Sequence, residues 1–153
     1  MKIARGLRGH LASAEVRNRL GLLVLPENII LEPISSNPVL INHELEQSYE
    51  AGKSWPEVSK KRTITETSYR AEISLGEVNP DITAFLSLEA EVLLYIYGSD
   101  VRQAEDQLNV SFDYDYYGTS CDIIINLNLT ERIYIEPAET GTILLEGERW
   151  QVL

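Results

Sequence analysis

Leu86-Ser-Leu-Glu-Ala-Glu-Val-Leu-Leu-Tyr-Ile-Tyr97, closed by Gly98, is the stretch on which the fold turns. Every even position from Leu86 to Ile96 is apolar. The odd positions begin polar, with Ser87, Glu89 and Glu91, and end with Leu93, Tyr95 and Tyr97. Such alternation predicts a β-strand, half wet at its start and covered on both faces at its end, entering the middle of a sheet. A helix competes with it. Leu86, Ala90, Leu93, Leu94 and Tyr97 also fall at helical spacing, and Leu, Glu and Ala are good helix formers. The strand is the preferred reading.

The flanking segments point the same way. Thr63 to Leu75 alternates cleanly, with Tyr69, Ala71, Ile73 and Leu75 on one face and Arg70, Glu72 and Ser74 on the other. Its β-branched threonines favour a strand, and Asn79-Pro80 turns the chain towards residue 86. Beyond Asp100 to Leu108, a short helix or a long loop, Val110 to Tyr116 alternates again. Gly118-Thr119 is a turn, and Cys121 to Leu129 returns with every odd residue apolar. Ile133 to Glu136 reads as a short strand ended by Pro137. Thr142 to Leu145 and Arg149 to Leu153 form a hairpin about Glu146-Gly147-Glu148, where Gly supplies a positive φ.

Towards the N-terminus, Asn28 to Ile34 reads as a strand that Pro33 confines to an edge or a strand end. Ser35-Ser36-Asn37-Pro38 reads as a turn, followed by a strand over Val39 to Glu46. Residues 3 to about 23 read as a helix with a broken apolar stripe (Leu7, Leu11, Ala14). Ser13 could alternatively cap a second helix start. Tyr49 to Arg62 shows no period and presents Trp55 among Lys53, Lys60, Lys61 and Arg62. The expectation is a mainly β protein: an antiparallel β-sandwich or partly open barrel of about eight strands with one N-terminal helix. It is expected as a single domain over 1–153, a basic helix on 1–25 and an acidic β body on 26–153.

Charge is distributed unevenly. The net charge is −11, yet residues 1–20 hold five basic side chains (Lys2, Arg5, Arg8, Arg17, Arg19) against Glu15 alone, leaving eight basic and 23 acidic residues elsewhere. The acidic body repels phosphate backbones, which argues against nucleic acid as a partner. A basic helix with Lys and Arg at its N-terminus is poorly matched to its own macrodipole and needs a partner surface. Charges at Arg5, Arg8, Glu15, Arg17 and Arg19 interrupt any apolar signal-peptide core, and no run approaches membrane-spanning length. A cytoplasmic or virion setting, with no membrane partner, is expected.

No motif fixes a chemistry. The lone Cys121 excludes an internal disulfide and a multi-cysteine zinc site, and reads as a small buried hydrophobe. Asp113-Tyr-Asp115-Tyr-Tyr-Gly118 opens like a calcium loop, but the twelfth place is Ile124 instead of a bidentate glutamate. Asp113 and Asp115 share a strand face and could, with His43, serve a hydrolase. A wet strand face explains them more simply. His43-Glu44-Leu45-Glu46 lacks the second histidine of a zinc protease, and no nucleophile elbow, phosphate loop or dinucleotide fingerprint is present. No metal, cofactor or catalytic set is therefore expected. Tyr95, Tyr97, Tyr114 and Tyr116 could form an aromatic platform for a sugar or peptide, although cross-strand aromatic packing accounts for them as well.

Taken together, the residues point to a non-enzymatic structural or assembly subunit, of the kind found as phage neck, tail or capsid-accessory proteins in virions. It is expected to associate with itself or with other subunits through Arg5, Arg8, Arg17, Arg19, Trp55, Lys60, Lys61 and Arg62. The alternative is a ligand-binding β module that uses the four tyrosines.

Overall fold

The computed structural model describes residues 1–40, 45–48, 59–99 and 109–152, and for 40, 45–48 and 59–65 the backbone only. Three α-helices occur among them: α1 (Lys2–Ala12), α2 (Ala14–Leu20) and α3 (Phe85–Gly98). Seven strands also occur: β1 (Ile29–Leu40), β2 (Leu45–Ser48), β3 (Ser59–Val78), β4 (Asn109–Tyr117), β5 (Ser120–Pro137), β6 (Ile143–Leu145) and β7 (Glu148–Val152). The protein is mostly antiparallel β. Its described strands belong to one sheet in the order β1-β3-β5-β7-β6, with β2 on β3 and β4 on β5. Of the expected antiparallel sandwich or partly open barrel of about eight strands, the antiparallel β character holds; among the described residues there are seven strands in one sheet, with no second sheet packed on it, and three α-helices instead of one.

The chain divides into two compact units, Met1–Ser36 with Ser68–Thr130, and Asn37–Thr67 with Glu131–Leu153. In the first unit the alternation of the two long strands holds. Tyr69, Ala71, Ile73 and Leu75 of β3 and Cys121, Ile123, Ile125, Leu127 and Leu129 of β5 are all buried. They join one core with Ala4, Leu7 and Leu11 of α1, Val16 and Leu20 of α2, and Leu88, Val92 and Ile96 of α3. The sheet needs a cover for this apolar face, and the helices supply it. Each fully buried Leu or Ile side chain contributes roughly 1.5–3 kcal/mol.

Residues 86–97 are helical, against the strand expectation. Leu88, Val92 and Ile96 stand four residues apart and form the buried stripe of α3. They are also all even-numbered, so period-2 alternation and a one-sided helix place the same three residues inside. The absence of β-branched residues before Val92 leaves local propensity on the side of the helix.

The N-terminal helix is divided. Ser13, with extended backbone, accepts at Oγ a hydrogen bond from the Val16 amide at 3.4 Å and starts α2. Helix α2 ends on Gly21 at φ +68°, where the Leu22 amide reaches the Arg17 carbonyl and the Gly21 amide the Asn18 carbonyl, a Schellman closure.

Residues 35–38 do not turn. β1 continues through Pro33 and Pro38; among the described strands it pairs only with β3, and an edge strand tolerates proline. Ser59 to Arg62, expected in a loop, open β3, and Ile133 to Glu136 belong to β5. The β4–β5 loop is Gly118-Thr119 with Gly118 at φ +57°. In the second unit, β6 and β7 are joined by Glu146 (φ +53°) and Gly147 (φ +81°), a type I′ pattern. There Pro137 and Ile143 are both register partners of Trp150, whose ring is buried.

Candidate functional site

Three of the seven basic residues expected at an interface, Arg8, Arg17 and Arg19, are engaged inside the first unit. Arg8 donates from Nε to the Ile29 carbonyl and from Nη2 to the Pro26 carbonyl, both at 2.9 Å, tying α1 to the segment that opens β1. Arg17 donates to the carbonyls of Ala12 at 3.0 Å and Val24 at 3.1 Å. Arg19 forks onto Glu91 of α3, Nη1 to Oε2 at 2.9 Å and Nη2 to Oε1 at 2.8 Å, while its Nε takes Glu15 at 2.8 Å. Arg5 and Lys2 are exposed. Lys60, Lys61 and Arg62 stand opposite Gln47, Glu46 and Leu45 in the β2–β3 register. Trp55 and His43 lie outside the described residues.

Glu91 is the hub of the helical layer. Besides the Arg19 fork, it accepts from Nε2 of His10 at 2.8 Å, and the His10 ring rests on Tyr95 with centroids 4.8 Å apart. Arg19 first, and His10 second, hold the Glu91 carboxyl at about 2, against an ordinary 4.5. The guanidinium of Arg19 is correspondingly pushed up, chiefly by Glu91 and then by Glu15. Gly6 lets α1 approach here, because a Cβ at that position would meet the Tyr95 hydroxyl. The segment entering α3 is fixed as well: Thr83 Oγ1 donates to the Gly21 carbonyl and the Ala84 amide to the Leu20 carbonyl, each at 3.0 Å.

The four tyrosines do not share a platform. Tyr95 and Tyr97 are on a helix, Tyr95 half-buried against His10 and Tyr97 exposed. Tyr114 packs on Phe85 of α3, centroids 5.1 Å apart, and burial, with the Glu89 carboxylate beside it, pushes its hydroxyl up to about 12. Tyr116 is exposed on β4. Asp113 and Asp115 are exposed on the same strand, and Asp113 accepts from Asn126 Nδ2 at 2.7 Å. No base or nucleophile is paired with either by a hydrogen bond among the described residues.

A recess of about 330 Å³ lies among Ile30, Ser74, Glu77, Tyr117 and Asp122. One oxygen of Asp122 accepts both the Tyr117 hydroxyl at 2.7 Å and the Glu77 amide at 2.9 Å, holding Glu77 at φ +59°. The Asp122 bond raises the Tyr117 hydroxyl above its ordinary range. Among the described residues, no three His, Cys, Asp or Glu side chains are grouped to hold a metal ion. No described helix is long and apolar enough to cross a membrane.

The outer face of α3 is the feature that neither the charge argument nor the tyrosine argument identified. Leu86 (82% exposed), Leu93 (50%), Leu94 (68%) and Tyr97 (74%) lie with Ser87 and Ala90 on one arc of the helix. That arc carries no charge. Both carboxylates of the helix are drawn to its inner side, Glu91 by Arg19 and His10 and Glu89 beside Tyr114. With Leu88, Val92 and Ile96 on its inner face, the helix thus has two apolar stripes, of which only the inner one is covered. The spacing of Leu86, Ala90, Leu93, Leu94 and Tyr97 in the sequence was its only advance signal. Compared with protein-family models the chain matches none, and comparisons with curated proteins and with solved structures likewise found no match.

Proposed function

We propose that the chain is a non-enzymatic, protein-binding subunit of a multi-chain assembly, and that α3 is its contact element. One observation carries this reading: an exposed, uncharged stripe of leucines and a tyrosine on a chain whose net charge is −11. Exposed apolar residues scattered singly need no explanation, whereas a contiguous patch of this kind marks an interaction surface. The basic N-terminal segment becomes the support for that surface instead of the surface itself, since Arg8, Arg17 and Arg19 hold the helices together. The ligand-binding alternative loses its tyrosine platform and would have to rest on the recess at Asp122.

A photo-reactive residue placed at Leu94 tests the reading, with the same residue at exposed Glu139 as control. Adducts to protein should form several-fold more strongly from position 94 in lysate of the source organism. Equal labelling at the two positions would remove the basis for the proposal.

A further inference from the structure

We infer that the outer face of α3 pairs with the same face of a second copy, the two helices running antiparallel about a two-fold axis. This rests on the protein-binding reading above and names the partner. The first support is chemical. A different partner selected by so acidic a chain would be expected to read opposite charge, and the arc has no charge to be read. A second copy also brings −11, and can approach closely only where neither surface presents a carboxylate.

The second support is shape. An isologous contact requires a self-complementary face. Turning α3 about an axis midway between Leu86 and Tyr97 sets Leu86 of one copy opposite Tyr97 of the other, and Ala90 opposite Leu93. The small residue thus meets the large one twice, so that each Leu93 can enter the gap over the opposite Ala90. The stripe spans 11 residue steps, roughly 16 Å of helix, or three turns.

The third support is area. Leu86, Leu93, Leu94 and Tyr97 expose on the order of 500 Å² together, near the upper end of what monomers leave uncovered. A stable dimer needs about 600–800 Å² per partner, which the stripe approaches with its rim of Ser87 and Gly98.

Light scattering and sedimentation equilibrium on the full chain, from about 10 to about 200 µM, test the inference. The expected mass is twice 17.3 kDa. The dimer should tighten with salt, because screening relieves the repulsion between two acidic chains. Leu93→Glu should weaken it by about 100-fold or more, since a charge would be buried without a partner. The helical circular dichroism should stay unchanged, because Leu93 is half exposed in the single chain. Ala90→Leu separates this geometry from general stickiness: it should weaken a dimer that needs the gap and tighten an unspecific apolar contact.

A mass of 17.3 kDa throughout, or a dimer indifferent to Leu93→Glu, overturns the inference. A monomer that still labels other proteins from position 94 rejects the second copy while leaving the protein-binding reading in place. A monomer without such labelling rejects both.

Discussion

Replacing Glu91 by Gln is the perturbation that probes most of the helical layer at once. The carboxylate accepts two hydrogen bonds from Arg19 and one from His10, so the substitution removes the negative end of a three-helix tie. Its displacement from 4.5 to about 2 sets an upper bound of roughly 3 kcal/mol on what those contacts contribute. The Glu91 side chain is 19% exposed but Arg19 is 46% exposed, so solvent screening brings the expected effect to about 1–2 kcal/mol.

The sign follows from the direction of the shift. A carboxyl whose value is lowered on folding contributes stability that is complete above about 4.5 and disappears as pH falls towards about 2. Urea unfolding followed by helical circular dichroism, at several pH values from 7 to 2, should give a wild-type advantage of about 1–2 kcal/mol at neutral pH. That advantage should shrink through the acid range and vanish near its lower limit. An advantage independent of pH, or one below about 0.5 kcal/mol at pH 7, would refute the assignment of Glu91 as the charged hub.

Three further outcomes follow from the packing. Gly21→Ala should destabilise by about 1–3 kcal/mol, because Gly21 is left-handed and a Cβ there would stand 2.6 Å from the Ile82 carbonyl oxygen. Gly9→Ala, in a helix with open space around the added methyl, should instead stabilise by up to about 1 kcal/mol, and paired melting curves compare the two. Cys121 is fully buried, and burial pushes its thiol up, so a thiol reagent should label it only as fast as the protein unfolds. Rapid labelling under native conditions would contradict the packing of β5.

The strands were legible wherever one face is covered and the other wet. Tyr69 to Leu75 and Cys121 to Leu129 show this, because every second residue there is apolar and buried and the segments are rich in β-branched and aromatic residues that favour a strand. The β4–β5 and β6–β7 turns were legible because Gly118 and Gly147 take the positive φ that such connections require. α3 was not, because three buried residues four apart satisfy both periods, and only the burial of Leu88, Val92 and Ile96 distinguishes them. Ser35 to Pro38 misled for a different reason: turn-forming residues exclude a central strand, not an edge one. The basic residues were visible as a cluster, but sequence carries no record of which carbonyls and carboxylates fold back to meet them. Arg19 and Glu91 are 72 residues apart. The outer stripe of α3 was present in the helical reading of residues 86–97, and its exposure could be seen only once the inner stripe had been placed.

The edge formed by β1 has a bearing on how copies of this chain avoid one another in the wrong way. An open edge offers a row of amides and carbonyls onto which any extended segment can zip, the route by which β proteins aggregate. Strand N–H groups alternate in direction, so of Pro33 and Pro38, five places apart, one leaves a donor missing from that row, and Glu32 adds an exposed charge between exposed Ile30 and Ile34. An incoming strand would meet a gap in its ladder and a carboxylate on its path. A proline that looked like punctuation in the sequence, together with Glu32, therefore makes this edge a poor template for fibril growth.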